Sequence, residues 1–342
     1  MCRERTRKNR IRLLRTLEEA IPPSAGNPAT VGAARVDAAP KAEPVRVFQN
    51  EYASEVWGYN REAGDTSTGE LTKDAGSVLI FVHGVLTDSV IEAYKARGLA
   101  AESGLRAYMS FESRGRRWKG LSSLSPLYDN AYGSDSCAGA NEACLLLQCL
   151  ADVYTATASP PVVVAHSRGA RVLIKAAVLW EGLAAVADME QPGDWDRAWA
   201  GMPGFRSVWK KVGEGTRRTL LCRRRAIRDT RIFAVTGCPA VSKRDRGWGS
   251  LLSWTRDRSW NLYTERDWFL FFVGNPALGR IPSLGYRNIR FRLQHNSFFG
   301  STIAQRVVAN LCRHGGLLRE TVDTLIYHNL GRPRLDPDAD MV

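Results

Sequence analysis

One short stretch constrains the fold of this chain more than any other. The run from Val162 to Ala165 is continuously apolar, and His-Ser-Arg-Gly follows it before a helical pattern begins near Val172. A short apolar run rich in valine is typical of a strand that is buried on both faces. Ser167 is flanked two places away by a small residue on each side, Ala165 and Gly169. This pattern predicts a tight strand-to-helix turn that lifts Ser167 above the edge of a sheet.

The rest of the chain alternates between strand and helix patterns. Apolar runs predict strands over residues 76–82, 105–111, 162–165, 231–236, 260–263 and 289–293. Apolar residues at helical spacing predict helices over residues 90–103, 143–154, 172–183 and 303–311. Such alternation predicts an α/β fold with a mostly parallel central sheet and helices on both of its faces.

The ends of the chain differ in composition from its middle. Residues 22–44 are rich in proline, glycine and alanine and have almost no large apolar residue, which is typical of a flexible linker. We therefore expect a basic N-terminal arm and linker over residues 1–44 and one folded domain over residues 45–342. Residues 184–230 are too many for a simple connection and carry three tryptophans, so we expect an inserted helical segment there.

Basic residues are in excess and clustered. The formal net charge is +13, and residues 3–15 and 217–231 each hold seven lysines or arginines. Such clusters can contact phosphates or an anionic membrane surface. No nucleic-acid-binding motif accompanies the charge, so we expect no specific nucleic-acid binding. Two interpretations stay open for residues 184–230: peripheral contact with an anionic membrane, or a small private core of tryptophans with solvated arginines.

Several classes of protein are excluded or disfavoured. The longest apolar runs are far shorter than the roughly 18 residues that a transmembrane helix needs. The arginine-rich N-terminus lacks the apolar core of a secretory signal, so we expect a cytoplasmic protein. The chain has seven cysteines and no CxxC pair, which argues against a disulfide framework or a zinc site. We therefore expect no metal and no organic cofactor.

Four motifs occur in a fixed order along the chain. His83-Gly84 ends the first predicted strand, and Ala165-His-Ser-Arg-Gly169 ends the third. Ala-Val-Thr-Gly-Cys-Pro then occupies residues 234–239, and Asn-Leu-Tyr-Thr-Glu-Arg-Asp occupies residues 261–267. Over roughly residues 76–315 the chain resembles the α/β-hydrolase superfamily, on its lipase–esterase side. It departs from the family pattern in having Ala165 where glycine is usual, and in having its insertion before the strand at 231–236 rather than after it.

The resemblance implies a catalytic triad in the order serine, acid, histidine. Ser167 would be the nucleophile. Among the three histidines that follow it, His295 comes directly after a predicted strand and is the expected general base. His314 lies at the end of a predicted helix, where a protonated imidazole suits the helix dipole, and His328 is near the tail.

The expected acid is Asp267, which follows the predicted strand at 260–263 and precedes His295 by 28 residues. Glu265, Asp257 and Asp245 are the alternatives.

The resemblance also implies an oxyanion hole made of two backbone N–H groups. These would belong to Val85, just beyond Gly84, and to Arg168, the residue after the nucleophile. His83 is expected to brace the loop rather than to transfer protons, because it precedes the serine in the chain.

The function implied is hydrolysis of a carboxylic ester, with a lipid as one candidate substrate, through an acyl-enzyme on Ser167. The alternative is a catalytically silent hydrolase fold that serves as an interaction module, with its basic segments binding an anionic partner. A fold alone does not fix the substrate.

Overall fold

The structure is a computed structural model, and it describes residues 55–58, 76–84, 89–105, 107–111, 137–239, 247–256, 258–267, 270, 280, 287–295, 298–315, 321 and 331–334. The strands are β1 (Glu55–Gly58), β2 (Val78–Val82), β3 (Ala107–Phe111), β4 (Val162–His166), β5 (Phe233–Gly237), β6 (Ser259–Thr264), β7 (Arg287–Phe291) and β8 (Gly331–Arg334). The helices are α1 (Ser89–Ser103), α2 (Cys137–Thr157), α3 (Arg168–Ala185), α4 (Pro192–Ala200), α5 (Pro203–Trp209), α6 (Glu214–Cys222), α7 (Arg224–Asp229), α8 (Gly247–Thr255) and α9 (Thr302–His314). The predicted arm and linker, residues 1–44, lie outside the described residues.

The eight strands form one sheet in the order β1-β3-β2-β4-β5-β6-β7-β8. β3, β2, β4, β5, β6 and β7 are parallel to one another, and β1 and β8 add antiparallel edges. The carboxyl ends of the six parallel strands therefore lie along one edge of the sheet, where ligand sites of open α/β sheets are found.

Residues of β2 alternate between two cores, one on each face of the sheet. Val78, Ile80 and Val82 pack with α2, α3 and α8. Leu79 and Phe81 pack with α1 and α9 on the other face. Successive side chains of a strand point to opposite faces, so a strand covered by helices on both sides must be apolar throughout. This accounts for the uninterrupted apolar runs in the sequence.

The predicted α/β class and mostly parallel sheet are confirmed. Each of the six predicted strands and four predicted helices is present, with boundaries that differ by a few residues. The two edge strands were not predicted. β1 has the sequence Glu-Val-Trp-Gly and β8 has Gly-Arg-Pro-Arg, and such short runs carry no strand pattern. Pro333 is tolerated in β8 because an edge strand needs fewer backbone donors.

The segment before β5 forms four short helices, α4 to α7. Of these, α4, α5 and α7 contact α3, and α6 contacts α2 and α7. Trp199 is buried, and its indole N–H donates to the carbonyl of Gly182 at 2.8 Å. The Trp199 ring contacts Phe205 and Trp209, at centroid distances of 4.9 and 5.7 Å. Gly182 follows Ser167 by 15 residues, which is roughly 22 Å along a helix. The helical segment therefore packs far from the turn at Ser167.

The strand order, the antiparallel first edge strand, the helices on both faces and the serine turn after β4 are together those of the α/β-hydrolase fold. In the part of the chain that the structure describes, none of the helices combines the length and the apolar composition needed to cross a membrane.

Candidate functional site

Ser167 lies at the turn between β4 and α3 in a strained backbone conformation. Its φ is 53° and its ψ is −121°, and serine rarely adopts a positive φ. Hydrogen bonds hold the turn on both sides: the N–H of Ser167 donates to Gly237 O at 3.1 Å, and its carbonyl accepts from Ala170 N at 3.1 Å. Ser167 is thus fixed where β4 ends and α3 begins, with the positive end of the helix dipole beside it.

Position 169, two places after Ser167, is glycine because there is no room for a side chain. A Cβ atom at Gly169 would overlap the carbonyl group of Val82 and would lie 2.9 Å from the carbonyl oxygen of His83. The first turn of α3 therefore packs directly on the backbone at the end of β2. The corresponding position before the serine, Ala165, is fully buried and accommodates its methyl group.

The end of β2 lies against the serine side chain. A Cβ atom at Gly84 would lie 2.9 Å from Ser167 Cβ and 3.3 Å from Ser167 Oγ. His83 is buried, and its ring Nδ1 donates to the carbonyl of Gly84 at 2.9 Å. This bond agrees with a bracing role for His83. Val85 lies outside the described residues.

Asp267 and His295 are joined by a buried hydrogen bond. His295 Nδ1 donates to Asp267 Oδ2 at 2.6 Å, and the two residues are 6% and 1% exposed. The second oxygen, Oδ1, accepts from the backbone N–H of Leu270 at 2.9 Å. The end of β6 is also linked to the loop after β7, because Thr264 Oγ1 donates to Leu293 O at 2.8 Å. Both carboxylate oxygens are therefore satisfied, and the imidazole is held in one orientation.

The other candidates are placed elsewhere. Glu265 is half exposed and pairs with Arg290. His314 is exposed at the end of α9. Asp245, Asp257 and His328 lie outside the described residues. Among the described candidates, Asp267 is the carboxylate that contacts His295.

The turn at Ser167 adjoins the loop that carries His295. The ring of His166, the residue before the serine, lies 4.8 Å from the His295 ring and 5.5 Å from the Phe299 ring, measured between centroids. His166 is 5% exposed. Burial, with the nearby His295 adding to it, lowers the pKa of His166 well below 6.5, so this imidazole is neutral.

Two further groups at the site were not singled out from the sequence. Glu142 of α2 forms a buried ion pair with Arg168, at 2.6 Å. Cys238 directly follows β5, is fully buried, has a φ of 46°, and neighbours Asp267. Burial and then the Asp267 charge raise the pKa of the Cys238 thiol well above 9.0. No signal in the sequence marks Glu142, because a single carboxylate on a helix resembles an ordinary surface charge. For Cys238 the signal is its place in Gly-Cys-Pro at the end of a strand.

Comparisons with known proteins give little beyond this geometry. No protein-family model matches the chain, and no curated protein sequence matches it. Among solved structures, TT1662 from Thermus thermophilus is similar at 13% identity and a TM-score of 0.35, over 70% of this chain and 88% of that one. MenH from S. aureus is similar at 14% identity and a TM-score of 0.27, over 72% and 91% of the two chains. Likenesses this remote carry no argument about the chain, and its fold is assigned from the sheet itself.

Proposed function

We propose that the chain is a serine hydrolase that cleaves carboxylic esters, with Ser167 as nucleophile, His295 as general base and Asp267 as the orienting acid. The observation that carries the proposal is the 2.6 Å hydrogen bond from His295 Nδ1 to Asp267, buried at the same edge of the sheet as the strained turn at Ser167. A buried carboxylate on one imidazole nitrogen is the arrangement by which a triad fixes the tautomer of its histidine.

The first chemical step follows from that tautomer. Because Nδ1 carries the proton shared with Asp267, Nε2 is the basic nitrogen of His295. As Ser167 Oγ attacks the ester carbonyl, Nε2 takes the hydroxyl proton, and Asp267 stabilises the imidazolium that forms. The proton then passes to the leaving alcohol. Water, deprotonated by the same nitrogen, attacks the acyl-enzyme, and His295 returns that proton to Ser167 Oγ as the carboxylic acid leaves.

The negative charge of the tetrahedral intermediate needs fixed donors. The backbone N–H of Arg168, at the start of α3, is one proposed donor, and the second is the N–H of Val85, beyond Gly84. What supports this choice is the close approach of Gly84 to Ser167 Oγ, which a side chain at position 84 would prevent. Loss of one such donor typically lowers kcat by about 10²–10³.

Labelling with a fluorophosphonate probe tests the proposal. The full chain is expected to be labelled at one serine, and Ser167→Ala is expected to abolish both labelling and ester turnover, since loss of the nucleophile costs roughly 10⁶ in kcat. Ser110→Ala, at a buried serine of β3, is the matched control and should label normally. A folded parent chain that is not labelled, and that turns over no ester, would favour the silent interaction module instead.

A further inference from the structure

Three potential metal ligands converge behind the turn at Ser167. The side chains of His166, Cys238 and His295 are all buried, and their ligating atoms lie within 4.8 Å of one another. They come from the ends of three different parallel strands, β4, β5 and β7. Their positions in the sequence, 72 and 57 residues apart, bear no relation to the short spacings of zinc motifs. The sheet, rather than a local motif, brings them together.

His166 has polar atoms that the surrounding protein leaves unsatisfied. In the described part of the chain neither of its ring nitrogens has a hydrogen-bond partner, although the residue is 95% buried. The backbone of His295 lies near the ring without forming a hydrogen bond of normal geometry. Buried polar groups are rarely left without a partner, and an exception points to a water molecule or an ion at that place.

We propose that His166, Cys238 and His295 form an inhibitory Zn²⁺ site. Imidazole nitrogen and thiolate sulfur are the ligands that zinc prefers. In a tetrahedral zinc site, neighbouring ligand atoms are about 3.5 Å apart, given Zn–N near 2.0–2.1 Å and Zn–S near 2.3 Å. The three side chains therefore need to converge by at most roughly 1.3 Å. Three protein ligands leave the fourth position for a water molecule.

The surroundings complete the chemistry of the site. On binding, the Cys238 thiol loses its proton to solvent, because a coordinated divalent cation deprotonates a thiol outright. The Asp267 carboxylate lies beside Cys238 and bonds to His295, so it supplies a second-shell negative charge and orients one ligand.

The functional consequence rests on the proposed function of His295. Zinc on Nε2 of His295 occupies the nitrogen that accepts the proton of Ser167, and zinc on Nδ1 displaces Asp267. Either way the imidazole no longer serves as a base. Zinc binding and ester hydrolysis are therefore mutually exclusive, and free Zn²⁺ acts as a reversible inhibitor.

Cobalt tests the binding without reference to catalysis. The full chain, kept reduced, is titrated with Co²⁺, and we expect one ion per chain with the charge-transfer absorption of a thiolate ligand, displaced by Zn²⁺. Cys238→Ser should lose this band. His166→Gln should weaken Co²⁺ binding by more than the tenfold that even second-shell changes cost. Cys144→Ser, at a buried cysteine of α2 in the other core, is the matched control and should keep the band.

A band that persists in Cys238→Ser, or its absence from the parent chain, would overturn the proposal. If Cys238→Ser does not fold, as judged by circular dichroism, His166→Gln decides alone: unchanged Co²⁺ affinity refutes the site.

The second arm measures the rate of fluorophosphonate labelling with and without Zn²⁺. We expect at least tenfold slower labelling with zinc, recovery on adding a chelator, and resistance to zinc in His166→Gln. If zinc inhibits the parent chain, Cys238→Ser and His166→Gln equally, Cys238 and His166 are not the cause of the inhibition. If Ser167 is not labelled at all, the proposed function fails, while the cobalt spectra still decide the metal site.

Discussion

The guanidinium of Arg168 lies 2.6 Å from the carboxylate of Glu142, and both side chains are more than nine-tenths buried. Arg168 is the first residue of α3, and Glu142 belongs to α2, which packs along α3. The ion pair therefore fixes the N-terminus of α3 to its neighbour at the residue whose backbone N–H is the proposed oxyanion donor.

Breaking this ion pair should destabilise the chain and slow catalysis. Glu142→Ala leaves a buried, uncompensated arginine, so we expect a loss of about 3–5 kcal/mol in the free energy of unfolding. Urea denaturation measures the loss. Glu102→Ala, at an exposed glutamate of α1, should change the same free energy by less than about 0.5 kcal/mol. A Glu142→Ala variant as stable as the parent would show that the ion pair does not contribute to the free energy of unfolding.

Asp267→Asn should impair ester turnover while leaving the chain folded. The amide favours the wrong tautomer of His295, and the equivalent change in a serine protease lowers kcat by about 10⁴. Glu265→Gln is a matched control, because Glu265 lies in the same loop but pairs with Arg290 instead. Steady-state kinetics on a short-chain chromogenic ester distinguish the two. Equal activity in both variants would remove Asp267 from the proposed triad.

Stability should fall in acid through His166. Burial lowers its pKa well below 6.5, and the charges of His295, Lys95 and His83 act in the same direction. Below about pH 6.5 the unfolded chain therefore binds a proton that the folded chain does not, so the free energy of unfolding decreases as pH falls. Melting temperatures from pH 7.5 to 5 measure the decrease, which should be smaller in His166→Phe. Parallel pH profiles for parent and variant would contradict the assignment.

The hypothesis that residues 184–230 contact an anionic membrane stays a prediction. Trp199 is accounted for by packing inside the chain, and Arg223 by its pairing with Asp152, so these residues need no lipid. Exposed arginines of the segment include Arg197 and Arg218, which pair with Asp194 and Glu214 only at the solvent-exposed surface, where ion pairs are weak. Each basic residue near an anionic surface contributes about 1 kcal/mol.

Sedimentation with vesicles tests this membrane hypothesis. We expect binding to anionic vesicles that weakens with salt and with replacement of Arg197, Arg206 and Arg218 by glutamine. A matched triple variant at three exposed arginines elsewhere removes the same charge and should bind as the parent does. Those residues are Arg97, Arg256 and Arg313. Equal sedimentation of both triple variants would exclude a specific role for this segment.

Local pattern was sufficient to predict the central sheet and much of the site. A strand that is buried on both faces has a continuous apolar sequence, so it can be predicted from the sequence alone. The carboxyl ends of parallel strands share one edge of the sheet, and Asp267 and His295 were therefore expected at that edge. Contacts between helices that are distant in the sequence cannot be predicted from such local patterns. The Arg168–Glu142 pair joins two helices over 26 positions, and each residue alone resembles an ordinary surface charge. The convergence of Cys238 with two histidines likewise depends on strand order, which the sequence does not state.

The two small residues around Ser167 should respond differently to substitution. In Gly169→Ala the added methyl group overlaps the carbonyl group of Val82. We expect this overlap to lower the free energy of unfolding by about 1–3 kcal/mol and to abolish probe labelling. Ala165→Gly should cost only about 0.5–1 kcal/mol, from added chain entropy. Gly215→Ala, in α6 where a Cβ meets nothing within 4 Å, is the control and should be tolerated. Melting temperatures and labelling together rank the three variants.

The methyl group of Ala165 is fully buried, so this turn accommodates alanine at a position where sequence patterns for such serines require glycine. A search pattern that requires glycine on both sides of the serine treats the two positions as equivalent. In this turn, position 169 has no room for a Cβ atom, whereas position 165 requires only a small side chain. A chain with alanine at the first position escapes such a pattern while keeping the same turn, as this one does. Relaxing only that half of the pattern is the change that the geometry justifies.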